Sequence, residues 1–454
     1  MPTMTSDASS SMPMTLDDLP PAGFHSKLAL ISAGGPFCDG YILGIIGIAL
    51  PSIVRELHLT GVETGLVGAA ALLGVLAGGM LGGAVSDRLG RRPLFTLNIA
   101  AFVVFSLLQG VGSSLLLLVS LRFLLGVAVG ADYPIATSYV TEFMPRKLRG
   151  PVLSGLILAW WMGYTASYAV GYGLSFFPDM SWRIMLVSSA VPSLVLFCLR
   201  MGLPESPRWL VQQGRTEDAR NVIRAHLKTD ILPRAESQGQ LSLLQIIRSP
   251  YRGTLMFVSA FWILQSAPGF AIHTLQAQLL HQYHVQNALL GSFCITGLTI
   301  LGILPVTLGL INLVGRRLLL IGTFAISMAG LLLLGISPHP ANWMIFSGFI
   351  LYSISEAAGS GLQFVYPNEL FPTAIRASAV GMACSFSRLG AALGTFLLPL
   401  GYARFGMQPM MLTAAGFMLA GLMISWIWAP ETKNASLGEP PSLAEPSSSS
   451  ICAS

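Results

Sequence analysis

Of the chain's 454 residues, 53% are hydrophobic and only 10% are charged, which leaves about 240 apolar positions, where a bilayer-spanning helix uses about 20. With a mean hydropathy of +0.68, that is material for about twelve spans, and it excludes a cytosolic enzyme, a nucleic-acid binder and a disordered scaffold. The net charge of +5 reads as Lys and Arg gathered on one membrane face, not as a site for an acidic partner.

Residues 1–26 are small, polar and Pro-containing, without the basic start and apolar core of a signal peptide, and are expected to form a disordered cytoplasmic tail. Twelve apolar stretches follow, at roughly 27–54, 63–85, 93–112, 115–141, 150–176, 182–202, 252–281, 288–311, 317–336, 342–367, 375–402 and 408–429. They are too long and continuous for the alternating strands of a barrel. Their frequent Gly and Pro are ordinary in membrane helices. The expectation is an all-α polytopic membrane protein: a six-helix bundle over 27–202, a cytoplasmic linker over 203–250 and a second six-helix bundle over 251–433. The Ser/Pro-rich end, 434–454, is expected to be a second disordered tail. Cys38, Cys198, Cys294, Cys384 and Cys452 lie far apart, so neither a metal site nor a disulfide framework is expected.

Basic residues alternate between connections. Arg88, Arg91 and Arg92 follow span 2; Arg146, Lys147 and Arg149 follow span 4; Arg208, Arg215, Arg220, Arg224, Lys228 and Arg234 lie in the middle loop; Arg316 and Arg317 follow span 8, and Arg376 follows span 10. The other connections hold chiefly Arg55, Arg183 and Arg404. The positive-inside rule then puts both termini and the middle loop in the cytoplasm.

Three landmarks repeat. Gly90-Arg91-Arg92 returns as Gly315-Arg316-Arg317 after 225 residues; Glu142-Phe143-Met144-Pro145 with Arg149 returns as Glu369-Leu370-Phe371-Pro372 with Arg376 after 227; Pro204-Glu205-Ser206 returns as Pro430-Glu431-Thr432 after 226. A duplicated six-helix half explains this. Because six is even, both halves share one orientation, and a solute site is expected between them near the midplane.

The same landmarks resemble a known family. Gly83-Ala84-Val85-Ser86-Asp87-Arg88-Leu89-Gly90-Arg91-Arg92 is similar to the loop after helix 2 of the major facilitator superfamily. The segment from Arg122 to Gly130, Pro204-Glu205-Ser206-Pro207-Arg208-Trp209-Leu210, and Glu369 to Arg376 resemble its sugar-porter and metabolite:proton symporter branches. Cys38-Asp39-Gly40-Tyr41 and Gly130-Ala131-Asp132-Tyr133-Pro134 look like bacterial niacin, aromatic-acid and phosphate symporters. The resemblance implies a solute carrier that alternates between inward- and outward-facing states and does no chemistry on its solute. No Walker loop, HExxH or nucleophile elbow is found, and no cofactor is expected.

A charge inside hydrocarbon costs about 3 kcal/mol or more on insertion scales, so each intramembrane ionisable residue asks for a reason. The candidates are Asp39, Arg122, Asp132, Glu356 and Arg388. The resemblance implies that Arg122 pairs with a span 1 aspartate, and that Asp132 lies in the transport path. Asp39, Arg122 and Asp132 are therefore the proton-coupling candidates, with a static ion pair between spans 1 and 4 as the other reading of the first two. The sequence departs from the sugar porters here: their aspartate follows the Gly-Tyr, where this chain has Ile42, and Asp39 lies one helical turn earlier. Glu356 and Arg388 either bind the solute or neutralise each other.

Sugar porters carry glutamines in helix 5 and a Gln-Gln…Asn cluster in helix 7. Here Leu156 to Trp161 offers no amide, and in span 7 Gln265 is followed by Ser266 and, further on, Ala271. Tyr41, Trp160, Trp161 and Tyr164 supply flat surface instead, and Tyr41, Trp160, Tyr164, Gln265, Glu356 and Arg388 are the solute-binding candidates, for an organic or aromatic acid. His273 reads as a cavity-lining or packing residue with no assigned role.

By the resemblance, the cytoplasmic gate comprises Gly83, Asp87, Arg88, Gly90, Arg91, Arg92, Glu142, Arg149, Glu205, Arg208, Gly315, Arg316, Arg317, Glu369 and Arg376, with salt bridges between the halves. Asn312 stands at the Asp87-equivalent position, and Gly309 is one residue out of register with Gly83, which predicts a weaker second copy. The function expected is proton-coupled symport of a small organic solute by a monomer in the inner membrane. The alternative is a uniporter or exporter, possibly of a sugar, with Asp39 and Arg122 structural.

Overall fold

A computed structural model describes residues 20–112, 114–177, 181–233, 250–371 and 373–433, and among them every regular element is helical. The expected tails and the second part of the linker lie outside the described residues, except that the first helix already begins at Gly23.

Spans 1 to 5 are the helices Gly23–Leu57, Gly61–Leu89, Arg91–Val111, Leu115–Phe143 and Arg146–Leu174. Span 6 is broken into Ser181–Ser188 and Ala190–Arg200. Two short helices, Pro207–Gln212 and Thr216–Leu227, occupy the linker. Spans 7 to 12 are Arg252–Gln282, Ala288–Pro305, Arg316–Gly335, Asn342–Leu370, Thr373–Phe405 and Met407–Trp428. Local chemistry sets the boundaries. Thr60 caps span 2: its hydroxyl accepts from the Glu63 N–H, and Glu63 accepts from the Thr60 N–H at 2.8 Å. The register slip at Gly309 falls where span 8 passes into a π-helical turn, Val306–Leu310, with Gly309 at φ 128°.

Ten described helices are long and apolar enough to cross a membrane. Spans 5 and 10, of 29 residues each, are long enough at about 1.5 Å per residue, but Trp, Tyr, Ser and Glu side chains lower their hydropathy. Those are the side chains that build the centre of the molecule.

Within the first half, span 2 packs on span 4 and span 1 on span 5; in the second, span 8 packs on span 10 and span 7 on span 11, as the duplication requires. The halves meet through span 2 on span 11, span 5 on span 8 and span 1 on span 7. Small residues bring backbones into contact. A Cβ at Gly78 of span 2 would lie 1.9 Å from the Val127 carbonyl oxygen of span 4.

The repeat is also geometric. Gly90 (φ 99°, ψ 162°) and Gly315 (φ 94°, ψ 159°) have one backbone conformation, each immediately before a helix. The first N–H groups of that helix have no intrahelical partner. Glu205 accepts from the N–H groups of Arg91 and Arg92, and Glu431 from those of Arg316 and Arg317. Arg91 pairs with Glu142 at 3.2 Å, and Arg316 with Glu369 at 2.8 Å. Arg92 donates to the Met201 carbonyl and Arg317 to that of Trp426; Tyr139 donates to the Pro204 carbonyl and Tyr366 to that of Pro430.

These contacts bear on the residues expected at the cytoplasmic gate. The hydrogen bonds and ion pairs given above for Glu142, Glu205, Arg316 and Glu369 stay within their own half: unpartnered N–H groups at a helix start and a nearby arginine engage those carboxylates. At these positions the second copy repeats the pairing of the first. Arg208 opens the short helix Pro207–Gln212. The side chains of Asp87, Arg88, Arg149 and Arg376, and the surroundings of Gly83, lie outside the described residues.

Candidate functional site

Span 5 places Trp160, Tyr164 and Tyr168 four residues apart, hence on one helix face. Their rings stack in sequence, Trp160 on Tyr164 at 5.3 Å and Tyr164 on Tyr168 at 5.5 Å. Close approach of span 1 supports this ladder from behind: a Cβ at Gly40 would lie 2.0 Å from the Trp160 carbonyl oxygen. The neighbouring side chains reach across the divide between halves. Trp161 Nε1 donates to Ser360 Oγ of span 10 at 2.9 Å, and the Tyr168 hydroxyl donates to the His273 carbonyl of span 7 at 2.8 Å.

Opposite the ladder, His273 Nε2 lies 3.3 Å from Glu356 Oε2. Trp161 meets the imidazole edge-on at 5.4 Å and Tyr352 lies 6.0 Å from it. Gln265 donates to the Glu356 carbonyl and accepts from Gln363 at 3.1 Å. Glu356 faces His273 and not Arg388, which lies on span 11 over the rings of Phe270 (5.1 Å) and Tyr133 (5.8 Å). Tyr41 points elsewhere, its hydroxyl 2.8 Å from Ser188 Oγ of span 6 inside the first half.

A second group of charges lies nearer the motif end, the end that carries the Gly-Arg-Arg motifs. Asp39 is fully buried on span 1, and neither carboxylate oxygen has a hydrogen-bond partner. It sits in the field of Asp132, Arg200 and Arg388. Asp132 is held by Arg200 from the end of span 6 through two contacts, 2.8 and 3.2 Å, with both side chains fully buried. The Arg200 guanidinium also donates to the Phe95 carbonyl and lies 3.4 Å over the Phe95 ring. Gly35, one turn before Asp39, leaves room for this pair: a Cβ there would lie 2.3 Å from Asp132 Oδ2.

The expected Asp39–Arg122 ion pair is absent. Arg122 is buried and donates to the Ile42 carbonyl at 3.2 Å. It keeps the address at which the sugar porters place their aspartate, and finds backbone there; one helical turn separates it from the carboxylate. Arg200, Tyr168, Ser360 and Gln363 were not singled out from the sequence, and His273 was given no role there. Tyr168 and Gln363 were legible from spacing, since they share faces with Tyr164 and Glu356 respectively. Arg200 was hidden by its position at a span end, where an arginine reads as a topology anchor.

The profile described as "Sugar (and other) transporter" matches residues 28–443. The chain belongs to that family. YaaU of Escherichia coli (strain K12) is 38% identical over 426 residues, covering 93% of this chain and 96% of that protein. The "Inner membrane metabolite transport protein YgcS" of the same organism is 34% identical over 425 residues, covering 93% and 95%. Among solved structures, the partially occluded inward-open xylose transporter XylE from E. coli superposes with a TM-score of 0.79 at 22% identity, covering 91% of this chain and 100% of that one. The fold is therefore that of the major facilitator superfamily: twelve helices in two bundles related by pseudo-symmetry. The chain is a multi-pass membrane transporter of the metabolite and sugar branch, and not an enzyme.

Proposed function

We propose that this transporter is a proton-coupled symporter that carries a small organic acid with a flat, aromatic body across the inner membrane by alternating access. Its motif end faces the cytoplasm and the protein works as a monomer. The observation that carries the reading is Asp39: a carboxylate on span 1, wholly buried, without a hydrogen bond, in the electrostatic field of Arg388 from the other half. An unpaired ionised carboxylate in that setting is unfavourable, and relative movement of the halves changes its distance to Arg388. Its protonation is thereby tied to the conformational cycle. Asp132, bound to Arg200, keeps the surrounding charge fixed. The aromatic ladder, Gln265 and Glu356 line the path between the halves, and Arg388 offers a fork for a carboxylate.

The relatives support a range of solutes. One is named "Niacin transporter NiaP" (Acinetobacter baylyi, 24% identical); a neighbouring structure is titled a proton:xylose symporter. A sugar uniporter or exporter is the second reading, favoured by the Gln265–Gln363 amide pair, which is the kind of contact a hydroxylated solute uses.

The test is uptake into proteoliposomes under an imposed pH gradient. Asp39→Asn should abolish gradient-driven accumulation while solute counterflow persists. If accumulation and its pH dependence survive in that variant, Asp39 is structural and the second reading stands.

A further inference from the structure

Span 3 packs on the second piece of span 6, and at the motif end the seam between them opens into a groove of about 510 Å³. Arg92, Pro93, Thr96, Leu97, Ala100 and Phe197 line it. Leu97, with Leu199 and Met201 beside it, is an exposed apolar side chain, so this face is turned to the membrane. From Arg92 to Ala100 span 3 rises about 12 Å at 1.5 Å per residue, against about 15 Å for one leaflet of the hydrocarbon core. The groove therefore runs from headgroup level most of the way through one leaflet. Below the guanidinium its walls are apolar, because the Thr96 hydroxyl is turned back to donate to the Arg92 carbonyl at 3.1 Å. The nearby carboxylates are engaged elsewhere. Glu142 holds Arg91, and Glu205 accepts from the N–H groups of Arg91, Arg92 and Ser206. Among the described residues the Arg92 guanidinium hydrogen-bonds only to the Met201 carbonyl, at a long 3.5 Å. At the equivalent place in the second half, Arg317 is half-buried and donates to the Trp426 carbonyl at 2.9 Å. Ile321, Gly322 and Leu422 stand there for Thr96, Leu97 and Phe197, so that place has the cation without the aromatic wall.

We propose that this groove binds one anionic diacyl phospholipid: the Arg92 guanidinium holds the phosphate, and an acyl chain lies along Leu97, Ala100 and Phe197. The position selects the class of ligand, since a groove on the membrane face is filled from the bilayer. The guanidinium fork matches two phosphate oxygens, and a basic side chain at headgroup level attracts lipids of net negative charge. A zwitterionic lipid brings its own ammonium group, which competes for the phosphate and is repelled by Arg92. A bare phosphate would satisfy the fork and leave the apolar walls uncovered. The bound lipid bridges spans 3 and 6, so its effect is on the cohesion of the first bundle. The site is independent of the solute carried and of proton coupling.

The experiment titrates the full-length transporter, purified in detergent and stripped of lipid, with dioleoylphosphatidylglycerol or dioleoylphosphatidylcholine. Native mass spectrometry counts bound lipid, and the unfolding temperature reports its effect. Wild type should hold one phosphatidylglycerol about fivefold more tightly than phosphatidylcholine, the effect of one basic residue at a charged surface. Its unfolding temperature should rise more with the anionic lipid. Arg92→Gln, which keeps the backbone N–H groups, should bring the two lipids to equal affinity, and Arg92→Lys should keep part of the preference. Ala100→Phe fills the groove and should weaken both lipids, whereas Arg317→Gln should leave the preference intact. A wild type without the preference overturns the site. So does an unchanged preference in Arg92→Gln, or an equal loss in Arg317→Gln, since overall charge then explains it. Unchanged lipid retention in Ala100→Phe overturns it as well, which keeps the test decisive if Arg92→Gln does not fold. Equal stabilisation by glycerol phosphate removes lipid as the occupant. A wild-type dimer that Ala100→Phe dissolves puts a second copy of the chain in the groove, and likewise overturns the proposal.

Discussion

Arg122 shows how much one residue of register decides. The sequence places a guanidinium in span 4 and a carboxylate in span 1, and residue type alone suggests that they meet. Helical geometry separates them: the arginine reaches the backbone at Ile42, while Asp39 lies about one turn away, near Asp132 and Arg388. A buried guanidinium with only a carbonyl partner is under-compensated. Ile42→Asp supplies the missing counter-charge and should raise the detergent unfolding temperature by about 2 °C or more, whereas Ile42→Asn should not. A lower midpoint for the aspartate variant would show that Arg122 is already satisfied. The opposite case is Asp132 with Arg200, a paired and fully buried couple. Removing one partner of such a pair costs about 3–5 kcal/mol, because it strands the other charge. Asp132→Asn and Arg200→Met should each unfold at clearly lower temperature, and the double variant should recover much of the loss. The aspartate was legible in the sequence. Its partner was not, because pairing across three helices depends on packing that periodicity does not encode.

At the scale of elements, the span boundaries and the duplication were readable because length and hydropathy fix them, and because the Gly-Arg-Arg, Glu and Pro-Glu landmarks recur. What the landmarks do was less readable. Family likeness suggested bridges between the halves, yet the carboxylates of Glu205 and Glu431 are used on the bare N–H groups at the starts of spans 3 and 9. Burial pushes the Glu431 carboxyl up, but the N–H groups of Arg316, Lys433, Arg317 and Thr432 outweigh it and hold the group below its usual range.

Neighbouring glycines of span 2 separate a packing role from mere composition. A Cβ at Gly78 would overlap the Val127 carbonyl, whereas at Gly79 it would lie 3.7 Å from that of Gly130, an ordinary contact. Gly78→Ala should force spans 2 and 4 apart and lower both folded yield and unfolding temperature, and Gly79→Ala should be near neutral. Equal behaviour of the two would remove the backbone contact as a stabilising feature. The linker helix Thr216–Leu227 gives a pH-dependent counterpart. His226 packs on Phe24 at 4.9 Å, and burial, then the charge of Lys27, holds its imidazole below the ordinary value of 6.5. The docked state therefore prefers the neutral ring. Docking is fully stable above pH 6.5 and weakens as pH falls through the lowered value, because the undocked ring binds the proton more readily. Amide exchange in this helix, corrected for intrinsic rate, should be faster at pH 5.5 than at pH 7.5, and His226→Phe should remove the difference.

On the scale of the whole molecule, keeping the Arg91–Glu142 and Arg316–Glu369 ion pairs inside each half makes each bundle a body whose helix ends are tied to one another. Movement is then concentrated where the bundles meet. At the end opposite the motifs that meeting is close: a Cβ at Gly65 would lie 2.4 Å from the Phe396 carbonyl oxygen, and at Gly61 it would lie 3.6 Å from that of Pro399 and 4.0 Å from the Leu400 nitrogen. Spans 2 and 11 thus touch backbone to backbone, and a carrier that alternates has to part them to admit solute from that side. Gly61→Cys with Leu400→Cys is the pair to cross-link there, since the backbones meet at these residues and a disulfide needs Cβ atoms about 3.5–4.5 Å apart. The exposed Cys198 and Cys294 are replaced by Ser to keep the reaction specific. Oxidation should stop solute uptake, and reductant should restore it, because the lock acts on the opening and not on the fold. Solute binding from the motif end should persist in the oxidised protein. If oxidised carrier transports at the rate of the reduced one, the seam does not open in the cycle, and the rocking of two bundles about the central ladder is not how the solute crosses.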